Sequence, residues 1–164
     1  KRNMLSIKDV LNNKVKIKEG TITYGQYIDL NNILANKKGL SDVEIIESIF
    51  ILLHDYKLKL KDFQNMEVVK YFDEICEGIA FLINRDNKQL KVHLTEEQKR
   101  AGYENLSAKI GHYGTIKALA KTYSQDPDEV LKWEYNKVFA ILYTDFEEYK
   151  CASKLEEIYR AKHK

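Results

Sequence analysis

The feature that most constrains this chain is a set of capping boxes, which mark where helices begin. In a capping box, a Ser or Thr is followed three residues later by Glu or Gln, and each side chain satisfies a free backbone amide at the helix start. Three such boxes precede apolar residues at helical spacing: Thr23 with Gln26, Ser41 with Glu44, and Thr95 with Gln98. They predict a helix from Thr23 to about Asn36, a central apolar helix after Ser41, and a helix after Thr95 that is interrupted near Gly102.

Apolar spacing and proline placement predict the remaining helices. One runs from about Asn65 to Asn84, and a helical segment between Leu106 and Tyr123 is broken at Gly111–Gly114. Asp126-Pro127 is a strong helix start, with an N-cap followed by proline at the first helical position. No proline or glycine follows, which predicts a long helical segment over residues 126–162. Because Thr144 and Glu147 form another capping box, we expect a bend or break near 143–144.

Three short stretches alternate between apolar and polar residues instead. They are Val15-Lys16-Ile17-Lys18, Leu58-Lys59-Leu60-Lys61 and Leu90-Lys91-Val92-His93-Leu94. A period of two is typical of a half-buried strand, so they form either a small sheet or extended connections. Residues 1–20 are expected to be an extended amino-terminal segment. The sequence therefore predicts an all-α, mainly helical fold of about six helices, with a minor short β element as an option, in one domain spanning residues 1–164.

Charge, cysteine content and hydropathy limit which partners and which cellular compartment the sequence predicts. The net charge of +2 implies no nucleic-acid partner by itself, although the charge is uneven, with −5 over residues 126–148 and +3 over residues 150–164. Cys76 and Cys151 belong to no CxxC pair and are expected to be buried thiols in a reducing compartment. No apolar run approaches the ~20 residues of a membrane span, and the amino-terminal stretch lacks the pattern of a signal peptide. These features favour a soluble intracellular protein.

No catalytic or metal motif is recognisable. The four histidines, His54, His93, His112 and His163, are not paired at a spacing of three or four residues, so they are interpreted as surface or capping residues. There is no GxSxG motif and no phosphate-binding loop, and the segment Gly111–Gly114 is interpreted as a hinge between helices. We therefore predict a protein that is not an enzyme and that has no cofactor and no metal.

The segment Thr115–Trp133 has some features of a helix-turn-helix. It combines an alanine-containing helix, a short turn and a second helix with Val130 and Trp133 three residues apart. The second helix is net acidic, however, and phosphates repel an acidic helix that enters the major groove. A DNA-binding regulator of a mobile element is therefore the alternative rather than the leading interpretation.

Aromatic residues concentrate in the last third of the chain. Leu131, Tyr135, Val138, Leu142, Phe146 and Tyr149 step by three or four residues and form one stripe, which is typical of a core-facing helix surface. Trp133, Phe139 and Tyr143 lie off that stripe, so the apolar surface extends around the helix. Because tyrosine and tryptophan anchor protein interfaces, we take Trp133, Tyr135, Phe139 and Tyr143 as the candidate partner-binding residues.

The segment GHYGTIKALAKTYSQDPDEVLKWEYNKVFAILYTDFEEYKCASKLEEIY resembles small helical proteins from the tail-morphogenesis region of phages and prophages, especially the tail assembly chaperones. The stretches ITYGQYIDL and LKVHLTEEQKRAG are consistent with such proteins. The resemblance implies a non-enzymatic protein of the bacterial host cytoplasm that binds the tape-measure or tail-tube proteins, with self-association as an option. A self-assembling structural component of the virion is a further alternative.

Overall fold

The computed structural model describes residues 5–36, 39–91 and 94–162, with the backbone alone at Ser107 and Ala108. Within these residues the chain forms nine α-helices and no strand, which confirms the all-α prediction with more helices than the six expected. The helices are α1 Ile7–Asn12, α2 Tyr24–Ala35, α3 Asp42–His54, α4 Met66–Gln89, α5 Glu96–Arg100, α6 Tyr103–Ile110, α7 His112–Thr122, α8 Pro127–Leu131 and α9 Tyr135–Lys162. Two single 3₁₀ turns cover Ile17–Glu19 and Asp62–Gln64.

Local capping chemistry sets most helix starts. The hydroxyls of Thr23, Ser41 and Thr95 each accept a hydrogen bond from the backbone amide three residues later, so all three predicted capping boxes are present. The prediction of an extended segment over residues 1–20 is wrong, because α1 and a 3₁₀ turn lie within it. Helix α1 begins with a capping box formed by Ser6 and Asp9. This box was not predicted from the sequence, because Glu or Gln was required three residues after the Ser or Thr.

The alternating stretches form no strand in the part of the chain that the structure describes. Ile17 is buried in a 3₁₀ turn rather than a strand. Leu58 is buried and Leu60 is 89% exposed, but they lie in a loop. The Asp62 carboxylate stabilises this loop by accepting hydrogen bonds from the Lys59 amide (2.8 Å) and the Tyr56 hydroxyl (3.1 Å). Residues 92–93 lie outside the described residues.

Helix α4 is the centre of the core. Its buried residues step by three or four positions and so share one face: Val68, Tyr71, Ile75, Ile79 and Leu82. Gly78 lets the 3₁₀ turn approach closely, because a Cβ at this position would lie 2.6 Å from Cβ of Ile17. The Tyr71 hydroxyl then joins two other segments to α4, since it accepts from the Val15 amide and contacts Nε2 of His54, each at 2.8 Å.

A backbone pairing joins the starts of α2 and α9. The Tyr24 amide donates to the Trp133 carbonyl and the Tyr135 amide donates to the Ile22 carbonyl, each at 2.8 Å, so Thr23 and Glu134 form an isolated antiparallel bridge. The pairing requires extended backbone at residues 133–134, and the helical segment is interrupted there. The predicted break near 143–144 is wrong, because α9 is continuous through those residues.

Helix α9 is long and only partly covered. Its 28 residues span about 42 Å at 1.5 Å per residue, yet its buried residues are Tyr135 and Val138, both near its start. All residues from 154 to 162 are exposed. Cys151 is also exposed, so the expectation of a buried thiol is wrong at that position. Among the described helices, none is long and apolar enough to cross a membrane.

We expect Tyr71→Phe to lower the free energy of unfolding by about 1–2 kcal/mol, because the partly buried Val15 amide would lose its acceptor. Urea denaturation followed by circular dichroism measures the change. Tyr149→Phe, which removes the hydroxyl of a residue that is 54% exposed, is the matched control and is expected to change the stability little. Equal stability of the two variants would contradict the assigned role of the Tyr71 hydroxyl.

Candidate protein-binding groove along helix α9

Three aromatic rings follow one another along the first half of α9. The ring centroids of Tyr135 and Phe139 are 6.3 Å apart, and those of Phe139 and Tyr143 are 6.0 Å apart, with both pairs stacked. The Arg85 guanidinium on α4 lies over this row, 3.9 Å from the Phe139 centroid and 5.1 Å from that of Tyr135. Because a cation over aromatic faces is attracted by their quadrupoles, Arg85 holds the start of α9 against α4.

Next to this row of aromatic rings, the Asp86 carboxylate accepts hydrogen bonds from two tyrosine hydroxyls. The Tyr27 hydroxyl on α2 donates to Oδ2 of Asp86 at 2.8 Å, and the Tyr135 hydroxyl on α9 donates to Oδ1. Burial, reinforced by the Asp86 charge, raises the pKa of the Tyr27 and Tyr135 hydroxyls above the ordinary value, so both remain protonated donors. One carboxylate on α4 thus fixes α2 and α9 at the same point.

His112 is the residue of this cluster that the sequence interpretation missed. The hinge at Gly111, which has a φ of 47°, turns α7 so that the His112 ring meets Tyr24 and Tyr27 edge-on, at centroid distances of 6.0 and 5.9 Å. The Tyr24 hydroxyl lies 3.3 Å from Nδ1 of His112. Burial lowers the pKa of His112 and raises that of Tyr24 to about 12. His112 is therefore a partly buried packing residue at the first position of α7, rather than a surface residue.

The four candidate partner-binding residues occupy different environments. Tyr135 is fully buried, whereas Trp133 and Phe139 are partly buried and packed against the core. Trp133 contacts Tyr123 edge-on at 5.4 Å and carries the Lys137 ammonium 4.1 Å from its ring centroid. Tyr143 is 40% exposed. The structure thus brings Tyr135, Phe139 and Tyr143 together in one row, places Trp133 on another side of the helix start, and leaves Tyr143 the most accessible of the four.

An open groove of about 780 Å³ runs beside the next turns of α9. Its walls come from the end of α4, from α5, α6 and α7, and from α9, and most of its surface is apolar. The lining residues are Leu90, Leu94, Gln98, Tyr103, Glu104, Thr115, Leu142, Asp145, Phe146 and Tyr149. Three of them also line a cavity of about 140 Å³ over the Asp86 cluster, so the groove begins where the cluster ends.

Helix α6 extends the apolar surface beyond the groove. Tyr103, Leu106 and Ile110 follow at spacings of three and four residues, so they lie on one face of α6, and each is at least 42% exposed. Glu104 and Asp145 give the groove acidic groups. Exposed apolar surface is characteristic of sites where proteins bind other molecules.

Two other kinds of site receive little support from the arrangement. Among the described residues, no group of three or more His, Cys, Asp or Glu is placed to hold a metal ion. In the helix-turn-helix candidate Thr115–Trp133, Ser124 adopts a φ of 51° in the turn, but the second helix, α8, has only five residues and its Val130 is fully buried. A helix so short and so acidic at its start offers little surface to a major groove.

Comparisons with models of protein families, with curated proteins and with solved structures found no match to this chain.

We expect Asp86→Asn to lower the free energy of unfolding by about 1–3 kcal/mol. An amide nitrogen would replace one of the two carboxylate oxygens, and one buried tyrosine hydroxyl would lose its acceptor. Urea denaturation provides the measurement, with Asp29→Asn on the exposed side of α2 as the control. If the two variants were equally stable, Asp86 would not hold α2 and α9 together.

Stability should also fall as the pH decreases from 7.5 to 5.5. Burial lowers the pKa of His54 and His112 below the ordinary value of 6.5, so the unfolded chain binds protons in this range before the folded chain does. The stabilisation is complete above pH 6.5 and is lost as the pH falls toward the folded pKa values. Urea midpoints measured across the range should decline less in the His54→Gln/His112→Gln double variant, and an unchanged slope would contradict the assignment.

Proposed function

We propose that this chain is a non-enzymatic protein-binding protein of the tail assembly chaperone kind, which holds a helical segment of a tape-measure or tail-tube protein. The observation that carries the proposal is the apolar groove between α9 and helices α4 to α7, together with the exposed face of α6. The resemblance of residues 111–159 to tail assembly chaperones supplies the class of partner.

The groove suits the recognition of an amphipathic helix. Such a helix presents apolar anchors at spacings of three, four and seven residues, and Tyr103, Phe146 and Tyr149 offer aromatic surface to receive them. Aromatic residues contribute large contact area at low conformational cost. Because Glu104 and Asp145 lie at the groove, a segment that carries Lys or Arg beside its apolar face is favoured over an acidic one.

The same side chains favour binding over catalysis. Of the described residues that line the groove, the charged ones are Glu104 and Asp145, both exposed, and the lining includes no histidine, cysteine or lysine. Acid–base or nucleophilic catalysis requires a base within hydrogen-bonding reach of the reacting group. The groove instead provides hydrocarbon and aromatic contact area.

We expect the protein to keep a tape-measure or tail-tube protein encoded by a neighbouring gene soluble on co-expression, and to co-purify with it. Tyr103→Glu and Tyr149→Glu place charges in the groove at exposed positions, so they should reduce capture at least tenfold while the circular dichroism spectrum stays helical. Leu60→Glu is the matched control, because Leu60 is 89% exposed and lies in a loop outside the groove.

Capture that survives in both folded groove variants would contradict the proposed site. If the wild-type chain left both partner proteins insoluble and uncaptured, the proposed function itself would be wrong. Measuring binding at increasing salt concentration distinguishes DNA binding from the proposed protein binding. Contacts to phosphates weaken steeply with added salt, whereas apolar contacts do not.

A further inference from the structure

The cavity of about 140 Å³ beside Asp86 has walls made largely of aromatic rings. Five of its ten lining residues carry a ring: Tyr24, Tyr27, His112, Tyr135 and Phe139. The rings of Tyr24 and Tyr27 are stacked with centroids 6.1 Å apart, and the Tyr135 centroid lies 4.5 Å from that of Tyr27. Rings from α2, α7 and α9 therefore surround one small space.

The Asp86 carboxylate brings a negative charge to this cavity, and no cation of the described chain pairs with it. The adjacent Arg85 instead lies over the Phe139 and Tyr135 rings and donates to Oδ1 of Asn136 at 3.2 Å. Because a carboxylate has about four lone-pair sites, the two tyrosine hydroxyls that donate to Asp86 leave it able to accept further hydrogen bonds.

The other ionisable groups near the cavity leave room for a cation. Burial lowers the pKa of His112 below its ordinary value, so the imidazole is neutral at pH 7.5 and does not repel a positive charge. Lys91 borders an adjoining surface depression that also includes Asp86, but Lys91 is exposed and forms no ion pair with the described residues. The cavity thus combines aromatic faces with a carboxylate that has no counter-ion.

We propose that this cavity binds the ammonium group of a lysine, which a helix lying in the groove inserts between the aromatic rings. The cavity and the groove share Leu90, Thr115 and Leu142, so a side chain can reach from one into the other. This inference rests on the proposed function, because the lysine belongs to the captured helix. It adds a position-specific requirement to that function.

Size and chemistry favour lysine over other side chains. A cavity of roughly 150 Å³ can hold a benzene molecule, so a cavity of about 140 Å³ has room for the end of a lysine side chain. Aromatic faces attract an ammonium group, and its freely rotating N–H donors can reach single lone pairs of Asp86. Arginine binds a carboxylate best through two parallel hydrogen bonds, but both Asp86 oxygens already accept a tyrosine hydroxyl.

The first test uses n-butylammonium chloride, which reproduces the lysine side chain without a partner protein. Titrated into the full-length chain at pH 7.5, it should cause saturable NMR shifts of the amides of Leu90, His112 and Thr115. The uncharged n-butanol should bind at least tenfold more weakly, because it lacks the charge that the rings and Asp86 attract. Equal binding of the two probes, or no saturable shift with n-butylammonium, would overturn the proposal.

Variants then locate the binding site. Asp86→Asn should weaken n-butylammonium binding at least tenfold, whereas Asp145→Asn, which removes an exposed carboxylate from the groove but not from the cavity, should leave it unchanged. Because Asp86→Asn is expected to be less stable, Phe139→Leu provides a second variant. It removes one aromatic face and should weaken the binding of n-butylammonium at least threefold, without weakening that of n-butanol. Wild-type affinity in the folded variants would contradict the assigned site.

Partner capture separates this inference from the proposed function. A saturating concentration of n-butylammonium chloride should weaken capture of the tape-measure or tail-tube protein several-fold, whereas sodium chloride at the same concentration should not. Capture that saturating n-butylammonium leaves unchanged would refute the lysine contact and keep the proposed function. Binding of n-butylammonium by a chain that captures neither partner would refute the proposed function and keep the ammonium site.

Discussion

The antiparallel backbone pairing between residues 22–24 and 133–135 is the contact on which the rest of the arrangement depends. Two amides and two carbonyls are satisfied by residues more than 100 positions apart in sequence, and the starts of α2 and α9 are held side by side. Tyr27 and Tyr135 can then both donate to Asp86 on α4. Because buried polar groups are costly when unpaired, the pairing and the carboxylate make this junction specific as well as stable.

The position of the junction explains why a binding surface exists. Helix α9 packs against the core through its first turns, where Tyr135 and Val138 are buried and Leu142 is partly buried, whereas its residues from 154 to 162 are all exposed. The short helices α5 to α7 approach α9 from the side and leave a groove between them. Phe146 and Tyr149 then face space that no described segment fills completely. A groove and an uncovered helix face therefore share one cause.

Sequence patterns predict those features that depend on neighbouring residues. The capping boxes at Thr23, Ser41 and Thr95 locate three helix starts correctly, because the stabilising bonds join residues three positions apart. The break in the long helical segment depends instead on a pairing with residues 22–24, so the local signal at Thr144 is misleading; there the Thr144 hydroxyl donates to the Ala140 carbonyl within a continuous helix. The placement of His112 against Tyr24 and Tyr27 likewise requires the hinge at Gly111.

The candidate site likewise combines features that local sequence spacing predicts with features that depend on distant residues. The aromatic residues of α9 could be recognised from their spacing, but burial of Tyr135 depends on Asp86, 49 positions away, and no local pattern signals that distance. The groove combines residues of four helices and of the connection between α4 and α5, so it too has no sequence signature. Helices that lack tertiary contacts are marginal in water, and the exposed pairs of α9 each add roughly a few tenths of a kcal/mol. Residues 154–162 at the end of α9 are all exposed, so this part of the helix gains little stability from packing against the rest of the described chain.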